Sequence, residues 1–415
     1  MIRKILKYTG LSILGLLLLI SATILISGKH YIFKAVWSTY FRGQTGPGIY
    51  DLDVFYYSTI NASDHPEPWK VYSEIDKMTL TQNQKKYLEE LETTSLLVIH
   101  NNEIIYEEYW DEHSKETVSN SFSVAKSYIS VLVGIAIDQG FIGSIDEPAS
   151  KYLDWFTGEG KDKITIRHLL EMSAGLDWGE SGGNPLSHNA EGYYGWDLLG
   201  LVKTLSAVNP PGKMLDYQSG NTQIVGFVLK EATGMSISEF AEEFLWSRIG
   251  TENNAHWSLD DDGGMEKAFC CLYATTRDFA RLGRLINENG FYKGKKILST
   301  SYISEMLTPA RILEDEENQN DQYGLFYWLY PSGKDPVYYA RGILGQYVIS
   351  IPTQNLIIVR TGHNRDEKYN LEDFKNMQGI MPQYEKYIER IGHPADLFHY
   401  IDIAYEFLAQ KNSLN

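Results

Sequence analysis

The strongest constraint on the fold is a polar motif that opens an apolar segment at residues 121–140. Ser123 and Lys126 lie three positions apart, and residues 129–137 that follow are almost wholly apolar, up to a stop at Gly140. This pattern predicts a buried helix that ends at a glycine, and residues three apart share one face of a helix. A neutral Lys126 could then take the proton of Ser123, as in a Ser-Lys nucleophile. An ordinary helix start capped by Ser123 explains the same two residues.

The amino terminus has the pattern of a membrane anchor. Arg3, Lys4 and Lys7 precede an uncharged, mostly apolar run at residues 8–28, about 21 residues, which is a length that spans a bilayer. A cleaved signal peptide usually has a shorter apolar region and small residues at its cleavage site, and the residues before Gly28 make a poor site of that kind. We therefore expect an uncleaved anchor, with a cleaved signal as the alternative. The body of the chain would lie outside the cytoplasm, in the periplasm or at the cell surface.

Charge and composition argue against several classes of partner. The net charge is −17 and the basic residues form no cluster, whereas nucleic acid binding needs patches of Lys and Arg. The histidines show no His-Glu-x-x-His and no paired spacing, so the sequence predicts no metal site, and we expect no cofactor. Cys270 and Cys271 are neighbours. Adjacent Cα atoms lie about 3.8 Å apart, closer than disulfides usually allow, which predicts buried thiols without a bond between them.

Patterns along the chain predict a mixed α+β fold. Residues 29–85 contain many helix and strand breakers and are interpreted as a lead-in segment before a domain at residues 86–411. Apolar runs at residues 95–100 and 103–110, joined by two asparagines, predict a β-hairpin. A mostly helical insertion with long glycine-rich loops is expected at about residues 143–264.

The carboxyl-terminal third adds further strands and helices. A helix is predicted at residues 275–289, and another at residues 397–410. Strand-like runs lie between them, at residues 337–340, 346–351 and 356–361. The whole order predicts an antiparallel sheet, built from both ends of the body and flanked by helices.

A second nucleophile-like pattern, Gly-x-Ser-x-Gly, occurs at residues 179–183. A true nucleophile elbow needs a strand before this pattern and a helix directly after it. Here the pattern lies within a glycine-rich loop. We therefore do not expect Ser181 to be a nucleophile.

Three motifs together carry a family resemblance. The Ser-x-x-Lys motif begins at Ser123, residues 164–176 end in Ser-Ala-Gly-Leu, and residues 217–226 begin with Tyr-Gln-Ser-Gly-Asn. In these motifs the chain resembles the serine β-lactamase-like hydrolases, which include class C β-lactamases, penicillin-binding carboxypeptidases, esterases and amidases. The resemblance covers about residues 90–365 and is strongest to the 6-aminohexanoate-oligomer hydrolases and esterases. It implies a β-lactamase/transpeptidase-like fold.

The resemblance also implies the roles of single residues. Ser123 would attack a carbonyl carbon, and Lys126 and Tyr217 would share the role of general base. The backbone N–H groups of Ser123 and Ile343 would form the oxyanion hole. Gly342 would let its strand come close to the substrate.

Two departures from the family pattern bear on the substrate. Ser219 stands where class C enzymes have an asparagine; it would hydrogen-bond the base or the substrate, with a plain turn serine as the alternative. The closing Lys/His-Thr-Gly motif has no literal match, and its counterpart is residues 339–346. There Arg341 could meet a substrate carboxylate, or strand alternation could point it away. The resemblance therefore gives less support to efficient β-lactam hydrolysis.

These observations predict a membrane-anchored serine hydrolase. It would cleave an ester or amide bond of a small molecule or peptide through an acyl-enzyme on Ser123. A D-Ala-D-Ala carboxypeptidase or β-lactamase is the alternative among enzymes. A non-catalytic, penicillin-recognising envelope protein is the alternative from another class.

Overall fold

A computed structural model describes residues 2–331, 335–366 and 393–414 of the chain. The helices in these ranges are α1 (Ile2–Ile26), α2 (Tyr31–Ser38), α3 (Gln82–Glu90), α4 (Val124–Asp138), α5 (Ile166–Leu170), α6 (His188–Tyr194), α7 (Leu198–Lys203), α8 (Ser219–Thr233), α9 (Ile237–Phe244), α10 (Thr276–Asn287), α11 (Thr300–Met306) and α12 (Ala395–Leu414). The strands are β1 (Tyr57–Ile60), β2 (Lys70–Val71), β3 (Thr93–His100), β4 (Glu103–Tyr109), β5 (Ser119–Asn120), β6 (Ala255–Ser258), β7 (Leu272–Ala274), β8 (Phe291–Tyr292), β9 (Lys295–Lys296), β10 (Trp328–Tyr330), β11 (Val337–Gly342), β12 (Gln346–Ile351) and β13 (Leu356–Gly362).

The main sheet has seven strands in the order β10-β11-β12-β13-β3-β4-β2. Its pairs are antiparallel except for the edge pair β2 and β4, which is parallel. Strands from both ends of the body meet at the pairing of β13 with β3. The predicted antiparallel sheet built from both ends is therefore confirmed, with one short parallel strand added at its edge.

Helices cover both faces of this sheet. Ser350 of β12 donates a hydrogen bond to the Gly283 carbonyl of α10, whereas Tyr347 of the same strand donates to Asp396 of α12. Side chains alternate between faces along a strand, so α10 and α12 lie on opposite sides. Because both faces are covered, β12 and β13 are buried along their whole length.

The hairpin of β3 and β4 shows why local sequence predicted it well. Asn101 and Asn102 both adopt left-handed backbone angles, with φ of 53° and 60°. A two-residue turn with positive φ at both positions matches the twist of antiparallel strands, and asparagine tolerates this conformation. The predicted hairpin is confirmed.

The segment at residues 29–85 contributes strands to two sheets. A four-stranded sheet has the order β1-β6-β7-β5, in which β1 pairs with β6, and β2 pairs with β4 in the main sheet. Helices α5 to α9 lie along the chain between α4 and β6, and α8 packs against α4 and α5. Helix α1 is long and apolar enough to cross a membrane. A signal sequence near an amino terminus has the same length and composition.

The cysteine pair differs from its prediction. Cys270 and Cys271 are buried, as expected, but they are joined by a disulfide. The Cα–Cα distance of 3.8 Å is short for a disulfide, and Cys271 adopts a left-handed φ of 68°. The prediction of separate thiols was wrong. It relied on the short Cα–Cα spacing of adjacent residues alone, without considering a left-handed backbone at Cys271.

Candidate active site

Ser123 lies at the N-terminal end of α4, immediately after a tight turn. Phe122 precedes it with a left-handed φ of 46°, and its backbone N–H donates 2.9 Å to the side chain of Asn120. The helix runs through the predicted apolar segment, and Gly140 follows its end with φ of 81°. The predicted buried helix is confirmed, with Ser123 as its N-cap residue.

Lys126 lies one turn into α4 with its ammonium directed at Ser123. Its Nζ is 3.0 Å from Ser123 Oγ, 3.1 Å from Ser219 Oγ and 2.8 Å from the carbonyl oxygen of Phe269. The residue is only 2% exposed. Burial lowers the pKa of the Lys126 ammonium to about 8, against the opposing effect of the Glu180 charge. A buried lysine with a lowered pKa beside a hydroxyl can accept a proton near neutral pH.

Tyr217 lies beside Lys126 and belongs to an aromatic stack. Lys126 Nζ is 5.2 Å from the centroid of the Tyr217 ring, and this ring stacks on Trp328 at 5.7 Å. Burial raises the pKa of the Tyr217 phenol above its usual value, and the nearby Ser123 side chain partly offsets this. The structure thus brings the three predicted catalytic residues together.

Ser219 is the first residue of α8 and connects Lys126 to a carboxylate that sequence reasoning missed. Its hydroxyl donates to Glu180 Oε1 at 2.7 Å, and its backbone N–H donates to Oε2 at 2.7 Å. Trp178 Nε1 also donates to Oε2 at 2.7 Å. Glu180 therefore orients Ser219, which in turn contacts Lys126.

Glu180 lies inside the Gly-x-Ser-x-Gly loop, directly before Ser181, and the sequence pattern of this loop pointed only to Ser181 as a candidate. No strand precedes this loop directly, and the next helix along the chain, α6, begins only at His188. Glu180 is 39 positions from Ser219, so no spacing rule links the two residues. The sequence feature that could have pointed to Glu180 is the presence of an acidic residue within a glycine-rich loop.

Gly342 ends β11 against the turn that carries Ser123. A Cβ atom built on Gly342 would lie 2.3 Å from the Ser121 carbonyl oxygen and 3.2 Å from the Ser123 backbone nitrogen. Only glycine permits this approach. Ile343 follows and is partly exposed. Within the described ranges, the Ser123 N–H donates to no protein acceptor, so it is available to a substrate oxygen.

Arg341 does not reach the cavity in front of Ser123. Its guanidinium lies 3.7 Å from the centroid of the Trp328 ring, and Trp328 in turn stacks on Tyr217. Strand alternation has therefore turned Arg341 toward the aromatic stack. Its positive charge acts on the site by lowering the pKa of the Tyr217 phenol, against the larger effect of burial.

A cavity of about 280 Å³ opens in front of Ser123. Its walls include residues of the site together with residues of α2 and the turn after it: Phe122, Ser123, Glu180, Ser219, Phe269, Cys270, Ile343, Ile32, Ala35, Val36, Thr39 and Tyr40. No pattern in the lead-in segment predicted that it would form a wall of this cavity. In the described part of the chain, no group of three or more His, Cys, Asp or Glu residues could hold a metal ion.

The sheet covered by helices on both faces, with a Ser-Lys pair at the start of a buried helix, defines the β-lactamase/transpeptidase-like class of fold. A model of the Beta-lactamase family matches residues 80–378, and the chain belongs to this family.

Known relatives agree with that assignment. The 6-aminohexanoate-dimer hydrolase of Paenarthrobacter ureafaciens is 24% identical over 262 residues, a match that covers 60% of this chain and 66%, just under two thirds, of that enzyme. A solved structure from Bacillus anthracis, described as a candidate 6-aminohexanoate-dimer hydrolase, has a TM-score of 0.71 at 20% identity and covers 89% of this chain and 97% of that one. A family VIII carboxylesterase has a TM-score of 0.59 at 17% identity, covering 82% and 99%. These relatives are hydrolases, and the structural matches establish the fold.

Proposed function

We propose that this protein is a serine hydrolase that cleaves an ester or amide bond through an acyl-enzyme on Ser123. The observation that carries the proposal is the contact of Lys126 Nζ with Ser123 Oγ at 3.0 Å, made by a buried lysine whose pKa is lowered to about 8. At pH 7 about a tenth of such lysines are neutral. A neutral amine at this distance is a competent base for the hydroxyl.

The reaction begins with transfer of the Ser123 proton to Lys126. Ser123 Oγ then forms a bond to the carbonyl carbon, and the carbonyl oxygen becomes an oxyanion. The N–H groups of Ser123 and Ile343 stabilise this charge, since Gly342 brings the two backbone segments together. The bond to the leaving alcohol or amine breaks as that group receives a proton, and the acyl group stays on Ser123.

Tyr217 is suited to carrying the proton rather than to starting the reaction. Its raised pKa disfavours a phenolate, whereas its place beside Lys126 and Ser123 offers a route for a proton from Lys126 to the leaving group. Water then attacks the acyl carbon, Lys126 takes the proton from this water, and Ser123 is released with its own proton restored. This division of roles refines the shared-base expectation.

The same proposal covers the placement and organisation of the chain. Helix α1 would be an uncleaved anchor within residues 1–28, residues 29–85 a lead-in, and residues 86–411 the hydrolase domain with its helical insertion at about residues 143–264. The length and apolar composition of α1 support the anchor. The domain would then lie on the extracytoplasmic side.

The chemical step is tested by turnover of a panel of ester and amide substrates with the full chain in detergent. We expect hydrolysis of at least one ester or amide and a loss of about 10³-fold or more in kcat for Ser123→Ala. Ser181→Ala is the matched control, because Ser181 lies in the rival motif and lines the same cavity. Turnover that survives Ser123→Ala and disappears in Ser181→Ala would contradict the proposal.

A further inference from the structure

Helix α2 builds the outer wall of the cavity in front of Ser123. Ile32, Ala35 and Val36 of α2 line the cavity, as do Thr39 and Tyr40 just after it. These residues recur at spacings of three and four, so they form one face of the segment. The wall is therefore mainly apolar, and it lines the same cavity as the nucleophile, the space that a substrate would occupy.

Specific contacts hold this wall in place. Lys29 Nζ forms a salt bridge of 2.6 Å with Glu191 of α6. Tyr31 is buried, and its hydroxyl donates 3.0 Å to the Pro185 carbonyl oxygen. The ammonium of Lys34 lies 4.5 Å from the centroid of the Phe55 ring. The position of α2 thus depends on contacts with the enzyme body on the same side as the site.

The outer surface of the same segment carries exposed aromatic side chains. Trp37 is 58% exposed, Tyr40 is 68% exposed and Phe41 is 79% exposed. We call these three residues the aromatic patch. Tyr40 belongs both to this patch and to the cavity wall, so the cavity and the patch are continuous.

The connection to α1 places the aromatic patch near a bilayer. Five Cα steps from Ile26 to Tyr31 span at most about 18 Å, and α2 adds about 9 Å from Tyr31 to Trp37. The aromatic patch therefore begins within about 27 Å of the end of α1, and the headgroup layer is about 5–8 Å thick on each side. Trp and Tyr are enriched at this layer, where an apolar ring meets water. If α1 spans the membrane, this short connection keeps the patch and the mouth of the cavity within reach of its surface.

We propose that the substrate is an amphiphile, an ester or amide that carries an apolar chain, and that it enters from the membrane surface with its chain along α2. This inference rests on the proposed function, and it names the substrate class of that site. The apolar chain would lie against the α2 wall while the scissile carbonyl meets Ser123. The aromatic patch would bind the bilayer from which the substrate comes.

The first test compares p-nitrophenyl octanoate with p-nitrophenyl acetate, using the full chain in phosphatidylcholine vesicles. Burial of several methylenes should raise kcat/KM for octanoate at least about 10-fold over acetate. Val36→Asp puts a charge on the cavity wall and should lower this ratio about 10-fold. Phe33→Asp is the control, because it adds the same charge to α2 at a position that does not line the cavity. The two side chains are similarly exposed, 40% for Phe33 and 38% for Val36. Phe33→Asp should therefore keep the ratio.

A wild-type preference for acetate, or an unchanged ratio in Val36→Asp, would overturn the proposal.

Delivery from the membrane has its own test, because the double variant Trp37→Ser/Phe41→Ser removes two patch residues that do not line the cavity. Turnover of a long-chain ester held in the vesicles should fall at least about threefold relative to that of acetate. An unchanged ratio would overturn delivery from the membrane surface.

Binding of octanoic acid to Ser123→Ala separates this inference from the proposed function. Equilibrium dialysis should show octanoate bound more tightly than acetate, with the difference lost on adding Val36→Asp. Chain-selective binding without any turnover in the wild type would support the α2 wall and contradict the hydrolase. Turnover without chain selectivity would support the hydrolase and overturn the amphiphile.

Discussion

At Lys126, two influences on the pKa oppose each other. Burial lowers the pKa of its ammonium to about 8, and the carboxylate of Glu180 acts in the opposite direction. Glu180 reaches Lys126 through Ser219, which donates to the carboxylate and accepts from the ammonium. Glu180 is thus a positioning residue that also sets how much neutral lysine is present at a given pH.

Glu180→Gln should therefore shift the pH dependence of kcat/KM. Removing the negative charge removes the effect that raises the Lys126 pKa, so the neutral base forms at lower pH. The acidic limb of the profile, expected near pH 8 in the wild type from the Lys126 pKa of about 8, should move to lower pH. Profiles between about pH 5.5 and 10 measure this shift. A limb that moves upward would contradict the role of Glu180, and the exposed Glu116→Gln serves as the control.

At the scale of elements, the site depends on the contact between the end of β11 and the start of α4. Gly342 has no room for a side chain because the Ser121 carbonyl and the Ser123 nitrogen occupy the space. Its strand is fixed in turn by pairing with β12 from Tyr338 to Gly342. The proposed oxyanion donors would therefore be positioned by the end of a paired strand and the start of a helix.

Gly342→Ala should destabilise the fold and reduce turnover together. Inserting a methyl group into a closed contact costs about 1–3 kcal/mol, and the strand must move away from Ser123 to accept it. We expect a lower Tm and a fall in kcat of about 10²-fold, the size expected for losing one oxyanion donor. Gly182→Ala has nothing within 4 Å of its added Cβ and should keep the wild-type Tm. A fully active Gly342→Ala enzyme would refute the proposed oxyanion hole.

Local patterns predicted the elements well and the assembled site only in part. The two asparagines of the hairpin, the strand-like runs of β11 to β13 and the apolar run of α4 each follow from neighbouring residues, and all are confirmed. The Glu180 contact with Ser219 and the α2 wall depend on how distant segments pack. No period or spacing in the sequence contains that information. The family resemblance, by contrast, did predict roles for Tyr217 and Ile343, because the motifs of a family come from segments that its shared fold brings together.

For the whole molecule, the proposal requires that the chain keep its amino-terminal helix. Residues 8–28 have the length of a bilayer span and a poor cleavage site. We expect the protein to stay in the membrane fraction after an alkaline carbonate wash, with an intact mass that includes residues 1–28. A soluble protein whose mass lacks these residues would show a cleaved signal instead, and would remove the membrane surface from the entry route.

Intact-mass spectrometry after reaction with an activated phosphonate reveals whether Ser123 is an activated nucleophile. We predict one phosphonyl adduct per chain, located on Ser123 by peptide mapping and absent from a folded Lys126→Ala variant. An adduct on Ser181, or no adduct on a folded wild-type protein, would show that Ser123 is not the activated nucleophile.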